Sequence, residues 1–172
     1  MNILSKTTIL AAVLALGACT SADRFNSGNA VDLNSSGVGA NGLAGSPQDP
    51  TSAAYFQQTV GDRVLFAVDQ STLTPEGMAT LDGQAQWLNT NVEYAAVIEG
   101  HADEQGTREY NLALGARRAN AVLEYLTSKG VASNRMKVIS YGKERPLEIC
   151  SEESCYAKNR RAVTVISVVP TS

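Results

Sequence analysis

The sequence predicts an α+β domain, an α/β sandwich in which helices pack on a mixed four-stranded sheet. Two observations lead to this prediction. Four short segments rich in Val, Ile and Tyr have the composition of strands, and two longer segments repeat apolar residues at helical spacing. The chain has 172 residues, 44% of them hydrophobic, which is enough for one domain with a core. Its net charge of −3 disfavours a nucleic-acid binder.

The first strand and the first helix are predicted from neighbouring segments. Residues 63–68 (RVLFAV) have the composition of a strand. Thr74 is a good N-cap and Pro75 suits the first helical position, so a helix is expected to begin there. Its apolar face consists of Met78, Leu81, Ala85 and Leu88. Residues 94–98 (YAAVI) form a near-continuous apolar run, which predicts a second strand buried on both faces.

The second half of the domain is predicted to contain one long helix and two strands. Residues 108–129 carry a helical apolar stripe and are followed by Gly130, which favours the left-handed position after a helix. The stripe consists of Leu112, Ala116, Ala119, Leu123 and Leu126. Residues 136–141 and 162–169 are predicted as the last two strands, and an acidic loop precedes the final one.

The N-terminus has the features of an export signal. Lys6 precedes an uncharged run at residues 9–18, which spans about 15 Å as a helix and so only half of a bilayer core of about 30 Å. This predicts a signal peptide over residues 1–18, with a buried core helix as the alternative. Residues 16–19 (LGAC) resemble the lipobox of bacterial lipoproteins, which implies that Cys19 is acylated and becomes the mature N-terminus.

The segment after Cys19 is predicted to connect a lipid anchor to the domain. Thr20 rather than Asp follows the cysteine, which by the same resemblance implies the outer membrane of a Gram-negative bacterium. Residues 19–54 are rich in Gly, Ser and Asn, so we expect a lipidated N-terminus followed by a flexible, disordered linker. A cleaved or incidental spacer is the alternative. The domain itself is predicted to span residues 55–172.

Polar residues concentrate between the second strand and the long helix, at residues 99–107 (EGHADEQGT). Gly100 permits close backbone approach, and Thr107 is placed to cap a helix whose free N–H groups attract an anionic group. One side of that helix, beside the apolar stripe, carries Asn111, Leu114 and Arg118. We therefore expect Arg118 to point toward the loop.

Structural roles are open for the same residues. Asp103 either binds a ligand or caps a turn of the loop. Arg118 either binds an anion or forms a structural salt bridge. His101 is the only histidine, and one histidine with neighbouring acids is too few ligands for zinc, so we expect neither a metal nor a cofactor.

Four motifs occur in order along the domain: 99–107 (EGHADEQGT), 110–122 (YNLALGARRANAV), 138–146 (VISYGKERP) and 159–163 (NRRAV). Together they closely resemble the signature of OmpA-like peptidoglycan-binding domains, over about residues 60–168. The resemblance implies that the domain binds the diaminopimelate of the stem peptide through Asp103 and Arg118. A carboxylate accepts from the ligand's ammonium, and a guanidinium binds its carboxylate by two parallel hydrogen bonds. The other pocket residues that it implies are Phe66, Gly100, His101, Thr107, Asn111 and Leu114.

One position departs from the family's pattern. The family often has Phe-Asp-x-Asp after the first strand, whereas residues 66–69 are FAVD, so Ala67 stands at the first acidic position. If that contact is made by the backbone, the change has little effect. If the side chain takes part, affinity for the ligand falls.

With the lipobox and linker in front, the chain resembles the lipoproteins of the Tol–Pal system. That implies a non-catalytic tether between the outer membrane and peptidoglycan, which supports envelope integrity and constriction at division. The implied partners are peptidoglycan, TolB and, through TolB, TolA. One alternative is a cell-wall hydrolase that uses the Asp103 and Glu104 carboxylates. Another is a motor-stator or porin-type relative that shares only this domain.

The remaining cysteines and basic residues are assigned structural roles. Cys150 and Cys155 are expected to form a disulfide in an oxidising periplasm, with a reactive thiol pair as the alternative. Residues 159–161 (NRR) are expected to anchor the last strand through buried ion pairs, with phosphate binding as the alternative.

Overall fold

The computed structural model describes residues 44–149 and 151–169. The predicted signal peptide, Cys19, Cys150 and most of the predicted linker lie outside these residues. The strands are β1 (Arg63–Leu65), β2 (Tyr94–His101), β3 (Met136–Gly142) and β4 (Arg161–Val168). The helices are α1 (Ala53–Tyr55), which continues as a π-helical segment (Phe56–Gly61), α2 (Pro75–Thr90), α3 (Arg108–Ser128), a 3₁₀ turn (Ser133–Arg135) and α4 (Glu153–Asn159).

The four strands form one mixed sheet in the order β1-β4-β2-β3. β2 and β3 are parallel, and α3 connects them, as a parallel pair requires a crossover. β4 lies antiparallel to both of its neighbours, β1 and β2. The predicted α+β class and the mixed four-stranded sheet are therefore confirmed.

The hydrophobic core lies between one face of the sheet and helices α2 and α3. Its fully enclosed apolar side chains include Phe56, Leu81, Leu88, Ile98, Val122 and Leu126. Along β2, Ala96 and Ile98 are buried, whereas Ala95 and Val97 are only half-buried. The prediction of a strand buried on both faces is wrong, because α3 packs on one face only and burial alternates with the pleat.

Both long helices begin where the sequence predicts, and α3 also ends at the predicted glycine. Thr74 Oγ1 accepts from the Gly77 N–H of α2 at 3.1 Å, and Thr107 Oγ1 accepts from the Tyr110 N–H of α3 at 3.2 Å. Gly130 follows α3 with φ +92°, the left-handed conformation that glycine adopts without strain.

The buried face of α3 differs from the predicted stripe. Leu112 is 48% exposed, and the residues that face the sheet and the core are Asn111, Leu114, Gly115, Arg118, Ala119, Val122 and Leu126. The helix is thus rotated relative to the apolar pattern. Two polar residues, Asn111 and Arg118, lie on its buried face, where they donate hydrogen bonds to backbone carbonyls.

Three segments differ from the sequence-based boundaries. β1 ends at Leu65 rather than residue 68, because the chain turns at Ala67, whose carbonyl accepts from the Gln70 N–H at 3.2 Å. The predicted acidic loop contains the seven-residue helix α4. The Trp87 indole N–H donates to the Pro50 carbonyl at 2.7 Å, so the chain packs on the domain before the predicted boundary at residue 55. No helix within residues 44–149 or 151–169 is long and apolar enough to cross a membrane.

Candidate functional site

A cleft of about 250 Å³ opens beside the loop that joins β2 to α3. It is lined by Val68, Asp69, Asp103, Gln105, Gly106, Tyr110, Asn111 and Leu114. Three residues from the predicted site, Asp103, Asn111 and Leu114, lie in this lining. Two carboxylates, those of Asp69 and Asp103, give the cleft its polar character, and Leu114 supplies an apolar floor.

The Asp103 carboxylate is held on both of its oxygens. The Oδ2 atom forms an ion pair with Arg160 Nη1 at 3.1 Å, and Oδ1 accepts from the Gln105 N–H at 3.2 Å. The side chains of Asp103 and Arg160 are both almost fully buried. Asp103 therefore caps its turn, as one of the two sequence-based interpretations states, and also has its charge matched by a neighbouring cation.

Arg160 connects three segments around the loop. Besides Asp103, it forms an ion pair with Glu153 of α4, and its Nε donates to the Phe66 carbonyl at 3.3 Å. Burial acts to lower the pKa of the Arg160 guanidinium, but the hydrogen bonds to Glu153 and Asp103 outweigh burial and raise the pKa. This buried ion pair is of the kind predicted for residues 159–161. Arg161 differs, because its Nη atoms donate to the backbone carbonyls of Asn159 and Arg145.

Arg118 is fully buried and is not among the residues that line the cleft. Its Nε donates to the Gln70 carbonyl at 2.8 Å, Nη1 to the His101 carbonyl at 2.8 Å and Nη2 to the Ala67 carbonyl at 3.1 Å. These bonds use three of the five N–H donors of a guanidinium. Burial lowers the pKa of Arg118 to about 10, while attraction to Asp103 and Asp69 opposes that shift, so the side chain stays charged at neutral pH.

The contact at Ala67 bears on the departure from the family's pattern. Position 67 contributes its backbone carbonyl to Arg118, and the residue itself is exposed. This bond to Arg118 uses no side-chain atom of residue 67, so replacing aspartate by alanine leaves it intact.

Asp69 and Tyr110 form a second polar contact in the cleft that the sequence did not single out. The Tyr110 hydroxyl donates to Asp69 Oδ1. Asp69 has φ 56°, a left-handed conformation that Asp tolerates better than most residues. The sequence signal that could have indicated Asp69 was the acidic residue three positions after Phe66, which the motif FAVD retains.

The loop between β2 and α3 is tied down on two sides. Asn111 Nδ2 donates to the Asp103 carbonyl at 3.2 Å and to the Gln105 carbonyl at 2.7 Å. Lys143 Nζ donates to the Gly106 carbonyl at 2.7 Å, and Gly106 itself has φ +89°. These bonds hold the cleft wall in one conformation, so a ligand does not have to order the loop.

Four predicted residues support the cleft without lining it. Phe66 is buried, with the Arg118 guanidinium 5.3 Å from its ring centroid, and Thr107 caps α3. Gly100 lies where β2 meets α3, and a Cβ there would be 1.8 Å from the Gly115 carbonyl oxygen. Arg118, described above, is the fourth.

His101 faces away from the cleft. Its ring stacks on Tyr141 with centroids 5.6 Å apart, and Nε2 lies 3.7 Å from Glu99 Oε2. Burial, followed by the positive charges of Arg161 and Arg145, lowers the pKa of His101 to about 4. The imidazole is therefore neutral at pH 7 and is not part of the charged cleft.

Of the two acids of the alternative hydrolase, Asp103 lines the cleft and Glu104 is engaged outside it. Glu104 Oε1 accepts from Asn159 Nδ2 at 2.7 Å, and Glu104 is not part of the cleft lining.

Among the residues for which the structure gives positions, no group of three or more His, Cys, Asp or Glu is arranged to hold a metal ion. Cys155 is disulfide-bonded, and Cys150 lies outside the described residues, so the predicted pairing stays a prediction.

The chain is similar in sequence to known proteins. The OmpA family matches it over residues 65–160. A peptidoglycan-associated lipoprotein of Mesorhizobium japonicum is 53% identical over 158 residues, which are 92% of this chain and 89% of the relative. Another, from Haemophilus influenzae, is 38% identical over 164 residues, which are 95% of this chain and 98% of the relative.

Solved structures show the same fold. The crystal structure of the peptidoglycan-associated lipoprotein from Burkholderia pseudomallei has a TM-score of 0.63 and 36% identity, covering 70% of this chain and 98% of that one. The C-terminal domain of Helicobacter pylori MotB has a TM-score of 0.59 and 21% identity, covering 63% of this chain and 85% of that one. The second similarity concerns the fold alone.

Proposed function

This chain belongs to the OmpA family and, within it, to the peptidoglycan-associated lipoproteins, and from that premise we propose that it binds peptidoglycan without catalysis. A lipid on Cys19 anchors it in the outer membrane, and the domain faces the periplasm and tethers the membrane to the wall. The observation that carries the proposal is the preformed cleft, which the Asp103 carboxylate lines and next to which the buried, charged Arg118 guanidinium is held by the backbone carbonyls of residues 67, 70 and 101.

The chemistry of the cleft suits a zwitterion. The free end of diaminopimelate carries an ammonium and a carboxylate on one carbon. Asp103 is placed to accept from the ammonium, and Arg118 retains N–H donors and a positive charge for the carboxylate. Both side chains are held by other bonds, so their spacing is fixed before the ligand arrives. A ligand that carries only one of the two charges would match only one of the two side chains.

The geometry favours binding over hydrolysis. Paired carboxylates of a glycosidase must both face the scissile bond, about 5–10 Å apart. Asp103 is ion-paired with Arg160, and Glu104 is hydrogen-bonded to Asn159 outside the cleft. The two side chains are therefore committed to different partners rather than directed at one substrate.

The same membership suggests a place in the Tol–Pal system. We propose that the domain binds TolB in the periplasm and, through TolB, engages TolA, so that it supports envelope integrity and outer-membrane constriction at division. We expect TolB and peptidoglycan to exclude each other. A stable complex that contains TolB, this protein and peptidoglycan together would contradict that expectation.

The cleft is tested by replacing Asp103→Asn and measuring sedimentation with purified peptidoglycan. The substitution keeps the size of the side chain and removes the charge that accepts from the ammonium. We expect affinity for diaminopimelate-containing walls to fall by about tenfold or more, the usual effect of losing a charge-assisted hydrogen bond.

The matched control is Glu124→Gln. Glu124 is exposed on α3, outside the cleft lining, so this variant removes the same charge and should sediment like wild type. Thermal unfolding of Asp103→Asn verifies that the domain is folded, since the substitution also removes a partner of Arg160. The proposed site is wrong if folded Asp103→Asn sediments like wild type. Equal binding of wild type to walls that contain lysine instead of diaminopimelate would show that Arg118 does not recognise the ligand's carboxylate.

A further inference from the structure

We propose that helix α4 is a redox-controlled clamp on the loop between β2 and α3, in which the disulfide bond of Cys155 keeps Glu153 paired with Arg160. Reduction of that bond by a dithiol releases the clamp and weakens the binding of peptidoglycan. The inference rests on the proposed function and adds to it a control element that lies outside the cleft lining.

Helix α4 has few bonds of its own to hold it in place. It has seven residues, and its N-cap, Glu152, makes no side-chain hydrogen bond to the free N–H groups of the first turn. Of the residues in this helix, only Asn159 at the C-terminal end is buried. A helix this short is marginal in water without tertiary packing, so its first turn is expected to fray unless another bond restrains it.

The C-terminal end of α4 nevertheless holds the loop that carries Asp103. Asn159 Nδ2 donates to Glu104 Oε1 at 2.7 Å, and the next residue, Arg160, forms the ion pair with Asp103 at 3.1 Å. Glu153, the first residue of α4, forms an ion pair with the same Arg160 guanidinium. The two ends of the helix therefore meet at one guanidinium, and that guanidinium is bonded to the loop.

The disulfide of Cys155 lies between these two ends. Cys155 is disulfide-bonded and only partly buried, and the described residues 151–154 before it are exposed. Cys150, its predicted partner, lies outside the described residues. A covalent cross-link at this position removes open conformations of the segment, in which Glu153 moves away from Arg160. A disulfide in an exposed segment is also accessible to an external thiol.

The reductant is a dithiol of the kind carried by thiol–disulfide oxidoreductases. One of its thiolates attacks a sulfur of the Cys155 disulfide, which breaks the S–S bond, forms a mixed disulfide and releases one cysteine thiolate. The second thiolate of the reductant then attacks the mixed disulfide and releases the other cysteine. The dithiol loses two electrons and becomes a disulfide, and its two protons go to the two cysteine thiols.

Release of Glu153 changes how the charges beside the cleft are matched. The Arg160 side chain is 5% exposed, and Glu153 and Asp103 share its positive charge. Without Glu153 the guanidinium is matched by Asp103 alone, so that carboxylate is drawn more strongly to Arg160 and attracts a ligand ammonium less. Fraying that reaches Asn159 also frees the loop, which a ligand must then order.

The experiment measures sedimentation of the full-length protein with purified diaminopimelate-containing walls, over a range of wall concentrations, with and without dithiothreitol. The proteins are wild type, Cys155→Ser, Glu153→Gln and the control Glu152→Gln. Glu152 is exposed and its side chain does not cap the helix, so the control removes the same charge one position away. Thiol titration reports the state of the disulfide, and thermal unfolding reports whether each sample is folded.

We expect dithiothreitol to weaken the binding of wild type about three- to tenfold while the domain stays folded. Cys155→Ser should bind as weakly as reduced wild type and should not respond to dithiothreitol, which excludes an effect of the reagent on the walls. Glu153→Gln should bind weakly with or without dithiothreitol, because reduction then has no carboxylate to release. Glu152→Gln should behave like wild type in both conditions.

The outcomes separate this inference from the proposed function. If oxidised wild type does not sediment with the walls, the proposed function fails and this inference fails with it. If it sediments and dithiothreitol does not lower its affinity, the proposed function stands and the redox control is overturned. The redox control is also overturned if reduction unfolds the domain, or if Glu153→Gln binds like wild type and responds to dithiothreitol in the same way.

Discussion

His101 is a neutral base enclosed among charged groups on the sheet face opposite the helices. It is only 2% exposed, and among the residues that the structure describes neither ring nitrogen finds a hydrogen-bond partner. The groups around it are Glu99 of β2, Tyr141 of β3, Arg161 of β4 and Arg145 of the following loop. Protonation would therefore place a cation beside two arginines, with only Glu99 to oppose them.

This environment predicts a specific loss of stability in acid. The pKa of His101 falls from 6.5 in the unfolded chain to about 4 in the fold, so between these values the unfolded chain binds a proton that the folded domain does not. The stabilising contribution of neutral His101 to the free energy of unfolding is fully present above about pH 6.5. It is lost as the pH falls toward 4, by on the order of 3 kcal/mol. Urea unfolding of wild type and His101→Phe from pH 7.5 to about 4 measures this effect.

Phenylalanine keeps a ring against Tyr141 and has no titratable group. The carboxylates titrate in both proteins, so the difference between the two pH profiles reports the titration of His101. We expect the free energy of unfolding of His101→Phe to fall less steeply over this range. Parallel pH profiles for the two proteins would show that His101 does not titrate as described.

The crossing of β2 and α3 depends on two glycines. A Cβ at Gly100 would lie 1.8 Å from the Gly115 carbonyl oxygen, which is backbone and cannot move aside. A Cβ at Gly115 would lie 2.5 Å from Ser140 Oγ. The helix therefore lies directly on the strand, which brings Asp103 beyond the strand end and Asn111 of the helix into one cleft.

We predict that Gly100→Ala destabilises the domain by about 3 kcal/mol or more, the upper range for overpacking, because strand and helix must separate. The matched variant is Gly83→Ala in α2, where the added Cβ would meet Val60 Cγ1 at 3.5 Å, an ordinary contact. That change should leave stability unchanged or raise it by up to about 1 kcal/mol, since alanine favours helix. Urea unfolding compares the two, and similar values for both would contradict the close crossing.

The elements themselves were predicted well where their signals are local. The caps at Thr74 and Thr107 and the end of α3 at Gly130 agree with the structure, because each involves residues within one helical turn. The orientation of α3 was predicted less well. Apolar spacing placed Leu112 inside, but the buried face includes Asn111 and Arg118. The polar atoms of Asn111 bond to the loop before the helix, and those of Arg118 bond in part to the distant turn after β1.

In the whole protein, membrane attachment is expected to depend on Cys19. We predict that Cys19→Ser moves the protein from the membrane fraction to the supernatant after cell lysis, because a protein held by acyl chains loses its anchor with them. Ser21→Ala in the same segment should leave the protein in the membrane fraction. Intact mass of the purified protein checks acylation directly, and an unmodified wild-type N-terminus would contradict the prediction.

The sequence by itself determined the order of the four strands and the two long helices, the starts of those helices, the end of α3 and the polar loop between β2 and α3. These depend on the spacing of apolar residues and on caps, which act over a few neighbours. Only the tertiary structure decided how the charges of the site are arranged. The Asp103–Arg160 pair joins residues 57 positions apart, and the Tyr110–Asp69 contact spans 41. Such partners meet only when β1, β2, β4 and α3 assemble, so no local pattern reveals which side chains hold the two carboxylates.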